Sequence, residues 1–494
     1  MKRTLLVFLL VNLVLSACAP VSAPTSTPAP SATPLPTATT APTSTATPTS
    51  VPTATPSATP KPIPTIQVGS LSVPDPRVTN PELFDLRNPD APIPQFVNAM
   101  RMVGIEITAE QVAQGMTFEQ VKGKDGNLFV VAVYNLNPNP NQIGEVLEGT
   151  IPLLIAKQEE SRKWVWKEAF LKELAESLDF FIGTQIGGYG FAQYYEQMVK
   201  IQTRGDFNLG MQSMGPRWNE NLTPPYPAPI FYRYLDSDVR IQQQAGMTGF
   251  GHLLLWGAAV PAWLKNGNYT REEVITIMQD SLKSDIGRYK GKILFWNVVN
   301  EFGNKDFFLQ RIGPEYVELA FRTARETDPS GILLYNDYSN HTLKGTRTLH
   351  TKQVVDDLRA KGLIDMVGLE TILFYPDIPT RQELVEGMQF YGIPIMVTEF
   401  NVNMGRFHGL ENEKLMVQAK SYYDAVLACL QSGTCKGFIM IYVSDAANFW
   451  NTQQDLPGWS PQNDPSLFDR NFQPKPCYYA TRMAIMDYIR SVGK

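Results

Sequence analysis

The sequence predicts an α/β fold: a closed (β/α)8 barrel of the TIM type, preceded by a small α+β module and a disordered tether rich in Pro, Thr and Ser. Three observations predict it. Beyond Trp166 short apolar runs alternate with longer amphipathic stretches. Eight of the apolar runs have strand length, and each is followed by enough chain for a crossover helix. An open doubly wound sheet would show the same alternation, but it more often carries a glycine-rich phosphate loop, and none is found.

The chain opens with a targeting segment, residues 1–18. A basic start at Lys2 and Arg3 precedes an apolar run from Leu5 to Leu15 and then small residues before Cys18. The run is short for a bilayer span and has the layout of a secretory signal. "LSAC" at 15–18 resembles the lipobox of bacterial lipoproteins, which implies acylation at Cys18 and a protein held at the outer face of a membrane. An ordinary signal peptide cut nearby is the alternative, and on either reading the mature protein leaves the cytoplasm. Residues 19–66 are almost wholly Pro, Thr, Ser and Ala, with no charge between Arg3 and Lys61. Such a segment lacks the large apolar side chains a core needs, and its prolines favour extended conformations. At about 3 Å per residue it reaches on the order of 100 Å, as a tether between membrane and working domain would.

Composition excludes several function classes. The net charge of −5 and the absence of a basic block argue against a nucleic-acid partner. With four cysteines and four histidines, and no CxxC or HxxxH spacing, no structural zinc site is expected. Cys429 and Cys435, with five residues between them, could close a small loop as a disulfide in an exported protein, which leaves Cys477 as a buried thiol. The chain is expected to act as a monomer.

Residues 67–165 read as the accessory module. A helix-like stretch over 94–116 is followed by strand-like runs at 127–137 and 151–159, joined by a loop or hairpin connection. From 166 to 494 the barrel strands are placed at 180–184, 207–211, 251–256, 293–300, 332–337, 366–371, 394–399 and 437–444. Helices are expected between them, among others in "GPEYVELAFRTARETD" and "EKLMVQAKSYYDAVLACLQ".

In such a barrel the C-terminal ends of the strands form the working face. Glu301 follows the fourth strand and Glu399 ends the seventh, so their carboxylates can meet across the mouth. Two carboxylates flanking a glycosidic bond are what retaining hydrolysis requires, one as acid/base and one as nucleophile. Asn300, beside the first, has an amide able to hold a sugar 2-hydroxyl. Trp263, Trp450 and Tyr442 are candidate stacking platforms for sugar rings, whereas Trp256 and Trp296 lie within strands and suit barrel packing. Two carboxylates and water complete this chemistry, so neither metal nor organic cofactor is implied.

From about Trp166 to its end the chain resembles glycoside hydrolase family 10, the retaining endo-β-1,4-xylanases and their relatives. "WNVVNE" resembles the acid/base strand of that family and "VTEFNV" (397–402) its nucleophile strand. "AFRTARETDPSGILLYNDY" (320–338), "GHLLLW" with "PAW" (261–263), and "FDRNFQPKPCYYA" match further segments in order. The resemblance implies Glu301 as acid/base, Glu399 as nucleophile, a disulfide between Cys429 and Cys435, and a plant cell-wall polysaccharide, xylan foremost, as substrate.

The departures from the family pattern cluster where the sugar would sit. Ser213 and Met214 replace a Glu-Asn pair, and Arg217 replaces a lysine. Gly257 and Ala259 replace a histidine and a glutamine after the third strand. Glu370 and Ile372 stand for a glutamine and a histidine on the sixth strand, Asn401 for an acid near the nucleophile, and Ile441-Tyr442 for Trp-Gly on the eighth. Arg217, Glu370, Asn401 and Tyr442 are therefore substrate-site candidates. Glu370 is expected to crowd Glu399 with a second carboxyl, raising one pKa, which Arg217 would offset. Three readings follow: a xylanase, a retaining glycosidase of the same barrel type acting on another glycan, and a surface carbohydrate-binding protein without turnover.

Overall fold

The computed structural model describes residues 62–137, 148–186, 194–214, 229–303, 305–448 and 463–493. Cys18, Arg217 and Trp450 lie outside them. A hairpin of β1 (Thr65–Val68) and β2 (Leu71–Pro74) comes first among the described residues, so the segment assigned to the tether, 19–66, overlaps β1 at Thr65 and Ile66. Two helices follow, Pro92–Met102 and Ala109–Gly115, where the sequence suggested one stretch. The chain turns at Gly104, whose φ of 77° suits a residue without Cβ. Thr108 and Gln111 then start the second helix with a capping box.

An antiparallel sheet in the order β3 (Met116–Lys122), β4 (Leu128–Leu136), β5 (Gly149–Gln158) and β6 (Trp164–Glu168) completes the module. β4 is almost wholly buried from Phe129 to Val133, because it is a central strand paired with β3 and β5 on its two edges and the second helix packs against it. The boundary drawn at 165/166 is corrected, since it falls inside β6. Trp166 pairs with Ala156 of β5 and belongs to this sheet.

The barrel strands are β7 (Phe181–Ile186), β8 (Leu209–Ser213), β9 (Thr248–His252) with a short extension β10 (Leu255–Trp256), β11 (Phe295–Asn300), β12 (Ile332–Tyr338), β13 (Met366–Phe374), β14 (Ile395–Asn403) and β15 (Cys435–Met440). All pair in parallel, and the ring closes through β15 with β7 and β9 with β11. Each of the eight expected runs overlaps one strand. Inside lies a small apolar plug containing Met211, Phe250, Phe295, Leu334, Met366 and Met396. The larger core, which takes in Trp296 and Val397, fills the space between strands and helices and continues into the module. Cys429 and Cys435 form a disulfide with a Cα separation of 5.2 Å, tying the helix Glu411–Ser432 to β15, and Cys477 is a buried thiol.

The module is fixed to the barrel by charge as well as by packing. Arg482, on the closing helix Pro476–Val492, is fully buried and pairs with Glu168 at the end of β6. It also donates to the Tyr478 hydroxyl, which in turn donates to Asp206 at 2.6 Å. Removing one partner of a buried pair leaves the other desolvated and uncompensated. Arg482→Met is therefore expected to destabilise the fold by about 3–5 kcal/mol, measured by denaturant unfolding.

Candidate active site

Two β-bulges set the site. Along β11, Phe295 enters the inner plug while Trp296, Val298 and Val299 join the outer core. The register slips between Asn297 and Val299, which resets the two-residue alternation so that Asn300 points inward. Its amide oxygen accepts from Asn297 Nδ2 at 2.9 Å and from Asn336 Nδ2 at 2.8 Å. Asn300 Nδ2 is thereby aimed at Glu301 Oε1, 3.3 Å away. Glu301 itself has φ of 51°. That region is sparsely populated by residues with a side chain and costs on the order of 1–3 kcal/mol. Arg347 secures the turn by donating to the Phe302 carbonyl at 2.6 Å while paired with buried Asp337 at 2.9 Å.

The second bulge lies in β14, where register shifts against both neighbours bracket Thr398 and Glu399. Both side chains face inward. Thr398 Oγ1 donates to Asn336 Oδ1 at 2.5 Å, and Asn336 Nδ2 approaches Glu399 Oε1 at 3.4 Å. Glu399 does not end its strand, as the sequence suggested. Pairing with β13 carries β14 on to Asn403.

His252, at the end of β9, is a site residue that the sequence reading did not single out. Its Nε2 lies 3.3 Å from Glu399 Oε1, and its Nδ1 lies 3.2 Å from Asn297 Nδ2. Asn297 has its amide nitrogen on this side because Asn300 Oδ1 can only accept. His252 Nδ1 is therefore the acceptor and Nε2 carries the proton that points at Glu399. Desolvation in the barrel mouth pushes the imidazole down to about 4, so this contact is a neutral hydrogen bond and not an ion pair. A polar residue interrupting an apolar strand, as in "FGHLLLW", is the signal that could have revealed it. Asn336 in "ILLYND" carries the same signal.

Glu370, on β13, is the Cα partner of Glu399 and is buried. Its Oε1 accepts from Asn336 Nδ2 at 2.9 Å. Burial first, then the charges of Glu399 and Glu301, hold its carboxyl well above the usual range, as the crowding argument anticipated. Glu399 is raised too, first by burial and then by Glu301.

The remaining candidates are less uniform. Tyr442 lies near Glu399: burial, then the Glu399 charge, raise its phenol. It has φ of 56°, a conformation in which glycine would be unstrained. Trp263 is half-buried on the helix Ala262–Asn266 after β10 and packs edge-on against Tyr269, 6.1 Å between ring centres. Asn401 follows Glu399 by two residues on β14. It is fully buried, and its oxygen accepts from Asn403 at 3.0 Å. Ile372 is its Cα partner on β13, so the imidazole expected on that strand is absent and His252 supplies the contact from across the barrel.

Glu301, Glu370 and Glu399 thus converge at the C-terminal mouth of the barrel, cross-linked by Asn300 and Asn336. Residues 228–484, just over half of the chain, match the family described as glycosyl hydrolase family 10. The chain is 30% identical over 248 residues to endo-1,4-beta-xylanase A of Fusarium oxysporum f. sp. lycopersici, covering 47% of this chain and 73% of that protein. It is 26% identical over 326 residues to endo-1,4-beta-xylanase B of Thermotoga neapolitana, covering 63% and 90%. Native xylanase 10B from Thermotoga maritima superposes with a TM-score of 0.59 at 25% identity, over 65% of this chain and all (100%) of that one. Xylanase 10B from Thermotoga petrophila RKU-1, in complex with xylobiose, gives a TM-score of 0.59 at 25% identity, over 65% and 99%.

Proposed function

The chain belongs to glycosyl hydrolase family 10, and from that premise we propose that it is an endo-1,4-β-xylanase working by double displacement. Glu399 attacks the anomeric carbon while Glu301 protonates the departing glycosidic oxygen. Glu301 then takes a proton from water, which opens the glycosyl ester on Glu399 with net retention. The observation that carries this reading is the convergence of Glu301 and Glu399 on one hydrogen-bonded network at the barrel mouth.

The surrounding groups have roles that follow from their contacts. His252 Nε2–H approaches Oε1 of Glu399, which favours its ionised form and leaves Oε2 to attack. Asn300, held by Asn297 and Asn336, presents its amide where the 2-hydroxyl of the reacting sugar would lie. Tyr442 borders the same space, and Arg217, Trp263 and Trp450 are proposed to contact sugars farther along the chain.

A panel of β-linked glycans tests the assignment, with wild type, Glu301→Ala and Glu399→Ala compared. Xylan cleavage that both substitutions abolish is the expected result, with the β-anomer formed first by proton NMR. Glu370 and Ile372 favour a second reading, a rebuilt pocket on the same machinery. Cleavage of another β-glycan and not of xylan would establish it, and binding without turnover would support a carbohydrate-binding role.

We further propose that Cys18 is acylated after export, that the Pro/Thr/Ser-rich segment from residue 19 to the start of β1 tethers the enzyme to the outer membrane face, and that it works as a monomer. Cys18→Ala is expected to move activity from the membrane fraction to the medium of a bacterial host. Unchanged partition would count against the lipid anchor.

A further inference from the structure

The third carboxyl has no place in the two-carboxylate chemistry above, yet it is built into the same network. Glu370 and Glu399 are side by side in register on β13 and β14, and one amide nitrogen, Asn336 Nδ2, lies 2.9 Å from Oε1 of the first and 3.4 Å from Oε1 of the second, which brings the two carboxyls together. A hydrogen bond between two carboxyls needs one proton between them, because two carboxylates offer only acceptors. The surroundings say which partner keeps it. Glu399 receives His252 Nε2–H at 3.3 Å and keeps some exposure to solvent, both of which stabilise a negative charge, whereas Asn336 Nδ2 directs its two hydrogens to Asn300 Oδ1 and Glu370 Oε1. Glu370 receives Asn336 at 2.9 Å and Asn300, but faces Glu399, Glu301 and Asp337. Among the other titratable groups nearby, Arg347 is ion-paired to Asp337, the ring of His341 bonds the Glu370 backbone, and Tyr442 faces Glu399.

We propose that Glu370 is a neutral carboxylic acid that donates its proton in a hydrogen bond to the Glu399 carboxylate and so positions the nucleophile. It does the work of a neutral donor in a pocket that cannot hold three adjacent negative charges. Burial and the two neighbouring carboxylates raise it in the same direction. When Glu399 becomes a glycosyl ester, the same O–H can remain bonded to the ester carbonyl, so no proton leaves the site. Glu370 is a positioning residue, and the inference rests on the assignment of Glu399 as nucleophile.

Glutamine keeps a donor in place of the acid, and leucine removes it. On a dinitrophenyl β-xylobioside, whose leaving group needs no general acid, Glu370→Gln is expected to retain kcat/KM within about threefold. Glu370→Leu is expected to lose roughly 10–100-fold, the scale of one hydrogen bond to a charged group. Wild type should lose activity at alkaline pH, as Glu370 ionises against Glu399, and Glu370→Gln should not share that limb. Equal losses in folded Gln and Leu variants, or identical alkaline limbs for wild type and Gln, would overturn the proposal.

Melting supplies a readout that needs no turnover. A carboxyl raised in the folded state stabilises below its unfolded pKa, and that contribution is lost as pH rises toward the folded value. Glu370→Gln should therefore gain Tm over wild type between pH 5 and 9. A difference that does not vary with pH contradicts the assignment. Should neither variant fold, infrared spectra of wild type at pH 8 decide, because a protonated-carboxyl band is expected and its absence refutes a neutral Glu370. Inactive Glu399→Ala beside active wild type upholds the nucleophile independently, so the two failures are distinguishable.

Discussion

Glu399→Ala is expected to lower kcat/KM on xylan by roughly 10⁵–10⁶-fold, the scale on which removing a covalent nucleophile acts in other hydrolases. The loss should fall on kcat, because the carboxylate bonds to the anomeric carbon only as the glycosyl ester forms. Truncation also opens space on the side of the sugar from which Glu399 attacks. Added azide should occupy it and restore turnover of an aryl glycoside, giving a glycosyl azide of inverted configuration. A β-configured azide, or activity that survives the substitution, would remove Glu399 from this role. Folding is not expected to suffer, since burial and Glu301 both raise this carboxyl in the folded state. Sign follows from that direction. The charged side chain costs stability above its unfolded pKa, so the alanine variant should melt no lower than wild type at pH 8.

Glu301→Ala should show a different signature. Loss of a general acid costs about 10²–10⁴-fold on substrates with poor leaving groups, but little on the first step for a dinitrophenyl glycoside. With the activated substrate the glycosyl ester on Glu399 should accumulate, because no base then activates water. A burst of dinitrophenol and a fallen KM are the expected observations, and azide should release a product of retained configuration. Equal impairment on xylan and on the activated glycoside would argue that Glu301 has another function. Its positive φ adds a structural corollary, since alanine relieves none of the left-handed strain and global stability should change little.

Much of this architecture was legible because its signals are local. Strand-length apolar runs marked every barrel strand, and the polar interruption after "WNVV" located Glu301. The split of the first helix is written locally too, in Gly104 and the Thr108–Gln111 capping box, whereas the extent of β6 depends on its pairing with β5. Asn401 is a candidate through the family resemblance, whereas its depth in the barrel is set only by the packed sheet. It lies covered, held by Asn403. His252 and Asn336 were overlooked because a lone polar residue in a strand has no partner until the ring closes.

The barrel and the family were readable from the chain alone, since they rest on periodicity and on motifs contained within single segments. Tertiary structure alone decided the electrostatics of the site. Bulges in β11 and β14 override simple alternation and turn Asn300, Thr398 and Glu399 to the same interior. Closure then sets His252 from β9 against Glu399 from β14, and Glu370 beside it from β13. Protonation follows from burial and from which donors face which oxygen, and both come into being only when distant strands share one water-poor pocket.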